Sequence, residues 1–180
     1  ASDPVARAAA LLDERKVTEA LPLLEEAHRA RPDDPEVSFL LGRALLESSP
    51  APAVLDRAIP LLEDAVKARD GVSRWHYVLG AAYGRKAQTG MLAGARHAGK
   101  VKAEFERAVA LDPANVQARR GLVDFYLQAP AMMGGSDERA EEQARALEKL
   151  DPFSAAGAWA GIFRKRGDWD NTAAILAKGR

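Results

Sequence analysis

The chain has 180 residues with 26 basic and 26 acidic side chains, so its total charge predicts neither a nucleic acid nor a membrane surface as partner. It contains no cysteine, which excludes disulfides, thiolate catalysis and cysteine-held metals. No apolar run approaches the roughly 20 residues of a membrane-spanning helix, and membrane insertion is not expected.

The opening stretch ASDPVARAAALL (1–12) has no charged-then-apolar leader. It reads as a mature end left by signal cleavage or as a trimmed end. An exported, periplasmic location is expected on the first reading, with a cytoplasmic one as the alternative. Alanine is abundant, β-branched residues are never clustered, and nothing alternates with period two. The expected class is all-α.

The first unit (1–34) ends in ALPLLEEAHRARPDD, where Ala20, Leu24 and Ala27 share one helical face and Pro32 stops the helix. In the second unit (35–72), FLLGRALL (39–46) precedes AIPLLEDAVKARDG (58–71). The same face recurs there as Ala58, Leu62 and Ala65. The extra residues around ESSPAPAVLD (47–56) carry Pro50 and Pro52 and predict a longer, stiff turn.

The third unit (73–115) pairs YVLGAAYG (77–84) with VKAEFERAVALDPAN (101–115), placing Val101, Phe105, Ala108 and Pro113 in the repeated positions. It is longer than the others. Its apolar stripe runs back through Ala98 to Met91, which predicts a second helix starting near Met91 and a first helix running through Ala87. The third hairpin should therefore project beyond its neighbours.

The fourth unit (116–152) pairs GLVDFYLQ (121–128) with AEEQARALEKLDPF (140–153) and carries an insertion between them. Ser136 is the expected N-cap there, with positive φ at Gly134-Gly135 just before it. Met132 and Met133 either cover the tip or form an adaptable contact surface. In the fifth unit (153–180), GDWDNTAAILAKG supplies a turn at Gly167-Asp168-Trp169 and a last helix.

Leu41-Gly42 and Leu79-Gly80, followed by Leu45 and Tyr83, together with the Ala/Leu-or-Phe/Ala/Pro series, resemble the tetratricopeptide repeat family. Unit one departs from it, with Arg7 and Ala8 in the Leu-Gly positions. The resemblance implies one right-handed superhelical solenoid of about five hairpins and ten helices, with the first helices lining a concave face. FYLQAP (125–130) with the following Met-Gly-Gly resembles exported bacterial members.

The family register implies that Phe39, Arg43, Tyr77, Ala81, Arg120 and Asp124 face the groove, with Arg74 and Arg85 extending it. Aromatic anchors flanked by arginines would suit a peptide or protein surface, an acidic one included. Members that clamp a peptide C-terminus use Lys and Asn at such sites. Phe39 and Arg43 stand there instead, so that mode is not expected.

Residues 71–103 hold six basic side chains and no acid: Arg74, Arg85, Lys86, Arg96, Lys100 and Lys102. They are either solvated helix faces balanced by units two and four, or a site for an anionic partner. Within them, GARHAGKV (94–101) nearly spells a phosphate-binding loop. No strand precedes it, Val101 replaces the magnesium-binding hydroxyl, and Val101 already occupies a repeat packing position, so the match is accidental.

His28, His76 and His97 fall in separate elements without ligand spacing, and no nucleophile–base pair or cofactor motif occurs. Trp75, Trp159 and Trp169 read as interhelix filler. Neither catalysis nor a cofactor is expected. The expected function is a protein–protein interaction scaffold, with homo-oligomerisation or anionic-partner binding as alternatives.

Overall fold

The computed structural model describes residues 3–178 as ten α-helices. They are α1 (Pro4–Asp13), α2 (Val17–Ala30), α3 (Pro35–Ser48), α4 (Pro52–Ala68), α5 (Ser73–Ala87), α6 (Met91–Leu111), α7 (Val116–Gln128), α8 (Asp137–Glu148), α9 (Pro152–Lys165) and α10 (Trp169–Lys178). A single 3₁₀ turn, Ala131–Met133, separates α7 from α8. The first two and last two residues of the predicted outer units lie outside the described residues.

Helix boundaries follow local chemistry. Asp34 accepts from the backbone N–H of Glu36 and Val37, Asn115 from Ala118, Ser136 from Arg139 and Asp151 from Phe153. Each such cap contributes about 1 kcal/mol by satisfying an N–H that the helix cannot. Proline opens α1, α3, α4 and α9, where its missing N–H costs nothing. Gly134 and Gly167 take positive φ in turns, as does Arg15 between α1 and α2.

Two insertions differ in outcome. The spacing predicts a long turn after α3, but α3 runs to Ser48 and α4 already starts at Pro52. The extra residues lengthen helix rather than loop, because Pro52 is suited to a first helical position. In unit three α5 does reach Ala87 and α6 does begin at Met91. GARHAGKV lies wholly inside α6, so its amides are spent on the helix and cannot cradle a phosphate.

In the second and third hairpins a small residue receives a large one. A Cβ on Gly42 would lie 2.7 Å from Leu62, and one on Gly80 would lie 2.8 Å from the Phe105 ring. Phe105 also closes against the next unit, where a Cβ on Gly121 would lie 2.7 Å away. Unit four exchanges the sizes: Val123 replaces the glycine and Ala144 the large residue, and both are buried. The apolar cluster so formed is continuous from Val5 in α1 to Ile162 in α9.

A second set of ties crosses the unit boundaries. Tyr83 donates to Glu63, and Tyr126 to Glu106 at 2.9 Å. The same carboxylates meet a cation from the following unit, Lys100 at 3.4 Å and Arg139 at 3.4 Å, and Glu25 meets Arg57 at 3.2 Å. The backbones of the first helices of adjacent units approach one another closely (α1–α3, α3–α5, α5–α7 and α7–α9), whereas the second helices of adjacent units stand farther apart and meet through these long side-chain ion pairs. The array therefore bends with its first helices on the inside.

Candidate partner-binding groove

The inner face opens into two adjoining clefts. One, of about 340 Å³, lies between α7 and α9 and is closed by α10, with Val123, Leu127, Phe153, Gly157 and Leu176 among its walls. The other, of about 370 Å³, lies between α5, the first half of α6, α7 and the turn after α7. Asp124 borders both. The alanines and glycines of α9 leave the first cleft open: a Cβ on Gly157 would meet nothing within 4 Å.

Ala81, Arg85, Arg120 and Asp124 line these clefts, Ala81 and Arg85 the second, Arg120 the first and Asp124 both, whereas Tyr77 lines neither. Tyr77 is half-buried, its ring 6.1 Å from that of Phe105. Asp124 is reachable by solvent on the groove floor. Surrounding protein thins its hydration and pushes its carboxyl above the usual range, and Arg120 opposes that shift.

The unit-two positions behave differently. Phe39 is only 2% exposed and stacks on Trp75 with centroids 5.0 Å apart. It is a packing residue, corrected here from a groove anchor: the α3–α5 contact that bends the array also covers its ring. Arg43 is held by Glu47 at 2.7 Å and Asp13 at 2.9 Å, and Arg74 shares Asp13 at 3.2 Å. These arginines seal the α1–α3–α5 side with ion pairs, and the same contact holds the Asp13 carboxyl below the usual range.

The cations of the long hairpin divide by how they are paired. Lys86 and Lys100 face α4 and pair with Asp56 and Glu63. Arg85 donates to the Leu46 carbonyl near the end of α3 and has no carboxylate partner among the described residues, and the carboxylate nearest Lys102 is Glu106 at 3.9 Å. Arg96 has no carboxylate partner among the described residues. The acid-free sequence thus becomes a hairpin in which Lys86 and Lys100 are neutralised by α4 while Arg85 and Arg96 have no carboxylate partner among the described residues.

Sequence reasoning missed Arg164, Phe153 and Gly157 in the first cleft, and Gln88 and Ala98 in the second; Met133, for which a contact surface was one of two readings, lines the second. The run PFSAAGAWAGIF (152–163) carried a signal, since so many small residues on a first helix leave its inner face hollow. Among the described residues no three His, Asp or Glu side chains gather as metal ligands, and no helix is long and apolar enough to cross a membrane.

Two tetratricopeptide repeat models match residues 11–48 and 102–155, together just over half of the chain. The stretch between them contains the lengthened third hairpin. Among solved structures the chain is similar to a thermophilic TPR protein, TTC0263, of Thermus thermophilus: TM-score 0.76, 20% identity, covering 98% of this chain and 88% of that one. It is also similar to MamA (TM-score 0.68, 18% identity, 96% and 91% covered). A third is YrrB, described as a TPR protein with an unusual peptide-binding site (TM-score 0.65, 17% identity, 98% and 82% covered). At these identities the likeness speaks for the fold. No curated protein matches in sequence.

Proposed function

Because this chain belongs to the tetratricopeptide repeat family, whose members typically supply non-catalytic interaction modules, we propose that it holds an extended peptide or protein segment along its concave face over α5, α7 and α9. The observation that carries this reading is the pair of adjoining clefts, about 340 and 370 Å³, joined at Asp124. Each offers apolar walls with a few convergent polar groups, which is how a groove gains both affinity and direction. The similar fold of YrrB, whose description names peptide binding, supports the same use.

Affinity capture from the organism's lysate, with the wild type and with Gly157→Trp and Arg120→Glu, tests it. Gly157 points into open space, so the tryptophan fills the first cleft without displacing a neighbour. Circular dichroism monitors the fold. Partners lost by both variants support the groove. Partners kept by both move function to another face.

A second reading is self-association through the α9–α10 end, favoured by Phe153 at 74% and Trp169 at 64% exposure. Sedimentation over a wide concentration range decides it. A strict monomer removes it.

A further inference from the structure

Two of the places where the chain departs from its repeat period are far apart in sequence, the extended α5–α6 hairpin and the insertion between α7 and α8. In the fold they meet. The 3₁₀ turn packs on α6, and Gly134 approaches the Lys102 side chain at 3.5 Å, measured from its Cβ position. Both line the second cleft: the hairpin extension supplies Gln88, Gly94 and Ala98, and the insertion supplies Pro130 and Met133. Phe105 and Phe125, which lie within the repeat proper, also line it.

Three observations describe what would fit. The lining is mostly carbon, and Gly84, Gly94 and Ala98 keep the walls thin enough for a bulky group to enter. A Cβ on Gly84 would meet nothing within 4 Å, so the space beside it is open. Two cations stand beside the cleft: Arg85 in its lining, without a carboxylate partner among the described residues, and Lys102 against Gly134, with Glu106 at 3.9 Å, while Lys86 and Lys100 are paired with α4. Asp124 stands at the far border, towards the first cleft.

We propose that the two insertions together build a socket for one bulky apolar side chain of a partner segment whose flanking residues are acidic. This rests on the groove reading and assigns the groove one specific anchor point. A buried apolar anchor of this kind carries most of a peptide's affinity, while the flanking charges set orientation and association rate.

The test uses fluorescence anisotropy with two labelled peptides, each bearing a Leu-Phe pair, one flanked by aspartates and the other by lysines. The acidic peptide should bind the wild type at least about tenfold more tightly than the basic one, with an affinity that falls as salt rises. Gly84→Phe fills the socket from within and should abolish binding. It removes a mid-helix glycine, so the fold should gain rather than lose stability. Lys102→Gln should weaken the acidic peptide several-fold and flatten its salt dependence.

Gly157→Trp distinguishes the groove from the socket. Capture abolished by Gly157→Trp but untouched by Gly84→Phe, with no preference between the peptides, would keep the groove and overturn the socket. Failure of both peptides to bind, or equal binding by Gly84→Phe, would also overturn it. Self-association abolished by Gly84→Phe would give the cleft to a second copy of the chain and overturn the acidic partner.

Discussion

Tyr126 and Glu106 are joined by a 2.9 Å hydrogen bond across the boundary between the third and fourth units, and Tyr83 makes the same bond to Glu63 one unit earlier. Each phenol is the last residue of the L-G-x-x-Y pattern or its equivalent. Each carboxylate directly follows the large residue of the second helix, Leu62 or Phe105. The repeat thus carries a polar tie between units in addition to its apolar packing.

That tie predicts an alkaline sensitivity. Burial, reinforced by the Glu63 hydrogen bond, raises the Tyr83 phenol above its ordinary range, and burial with Glu106 raises Tyr126. Both folded values lie above the unfolded one of about 10. Their contribution is complete below that pH and is lost as pH rises through the folded values, because the unfolded chain releases protons that the folded chain keeps. Urea midpoints measured from pH 8 to 12 should fall steeply above about pH 10. Tyr83→Phe with Tyr126→Phe should flatten that fall, at a neutral-pH cost of about 1 kcal/mol for each lost hydrogen bond.

Gly80 and Gly84 are one helical turn apart in α5 and should respond to alanine with opposite signs. At Gly80 the new methyl would stand 2.8 Å from the Phe105 ring and 3.2 Å from Glu104, so Gly80→Ala should destabilise by about 1–3 kcal/mol. At Gly84 nothing lies within 4 Å, and Gly84→Ala should stabilise by about 0.4–1 kcal/mol through helix propensity and a less flexible unfolded chain. Chemical denaturation of the two variants checks both signs.

His76 is buried between two acceptors, Glu104 Oε2 at 2.7 Å from Nδ1 and the Asp70 carbonyl at 2.8 Å from Nε2. It fastens the α4–α5 turn to α6. His76→Ala should leave the part-buried Glu104 without its partner and cost about 1–3 kcal/mol in urea unfolding. A loss below a few tenths would mean that water replaces the ring.

Asp124 should trade stability for its place in the groove. Its carboxyl is raised by burial, so its contribution is complete below the unfolded carboxylate value and is lost as pH rises through the folded one. Asp124→Asn should therefore raise Tm at pH 7 and give no such gain near pH 3. If the asparagine lowers Tm at pH 7, the carboxylate is held by contacts that stabilise its charge.

Much of the fold was legible because each unit repeats a short-range rule. Ala20, Leu24 and Ala27 recur as Ala58, Leu62 and Ala65, and the lengthened third hairpin could be traced residue by residue from Phe105 to Met91. The length of the turn after α3 was not legible, since Pro52 reads equally as a loop residue and as a helix opener. The groove was legible only in part. Register indicates which side a residue faces, but Phe39 faces inward where neighbouring helices touch and cover it.

The sequence by itself determined the helices, their order, their packing faces and the absence of cysteine chemistry, because these depend on spacings of a few residues and on composition. The tertiary structure decided which inward-facing residues are free. It closed the α1–α3–α5 side through Arg43, Asp13 and the Phe39–Trp75 stack, and left α5, α7 and α9 open. It also brought the third-hairpin extension and the insertion after α7 to one cleft, and neutralised Lys86 and Lys100 while leaving Arg85 without a carboxylate partner among the described residues and Lys102 with Glu106 at 3.9 Å. Accessibility and charge balance depend on residues tens of positions apart, and only the stacking of units sets those distances.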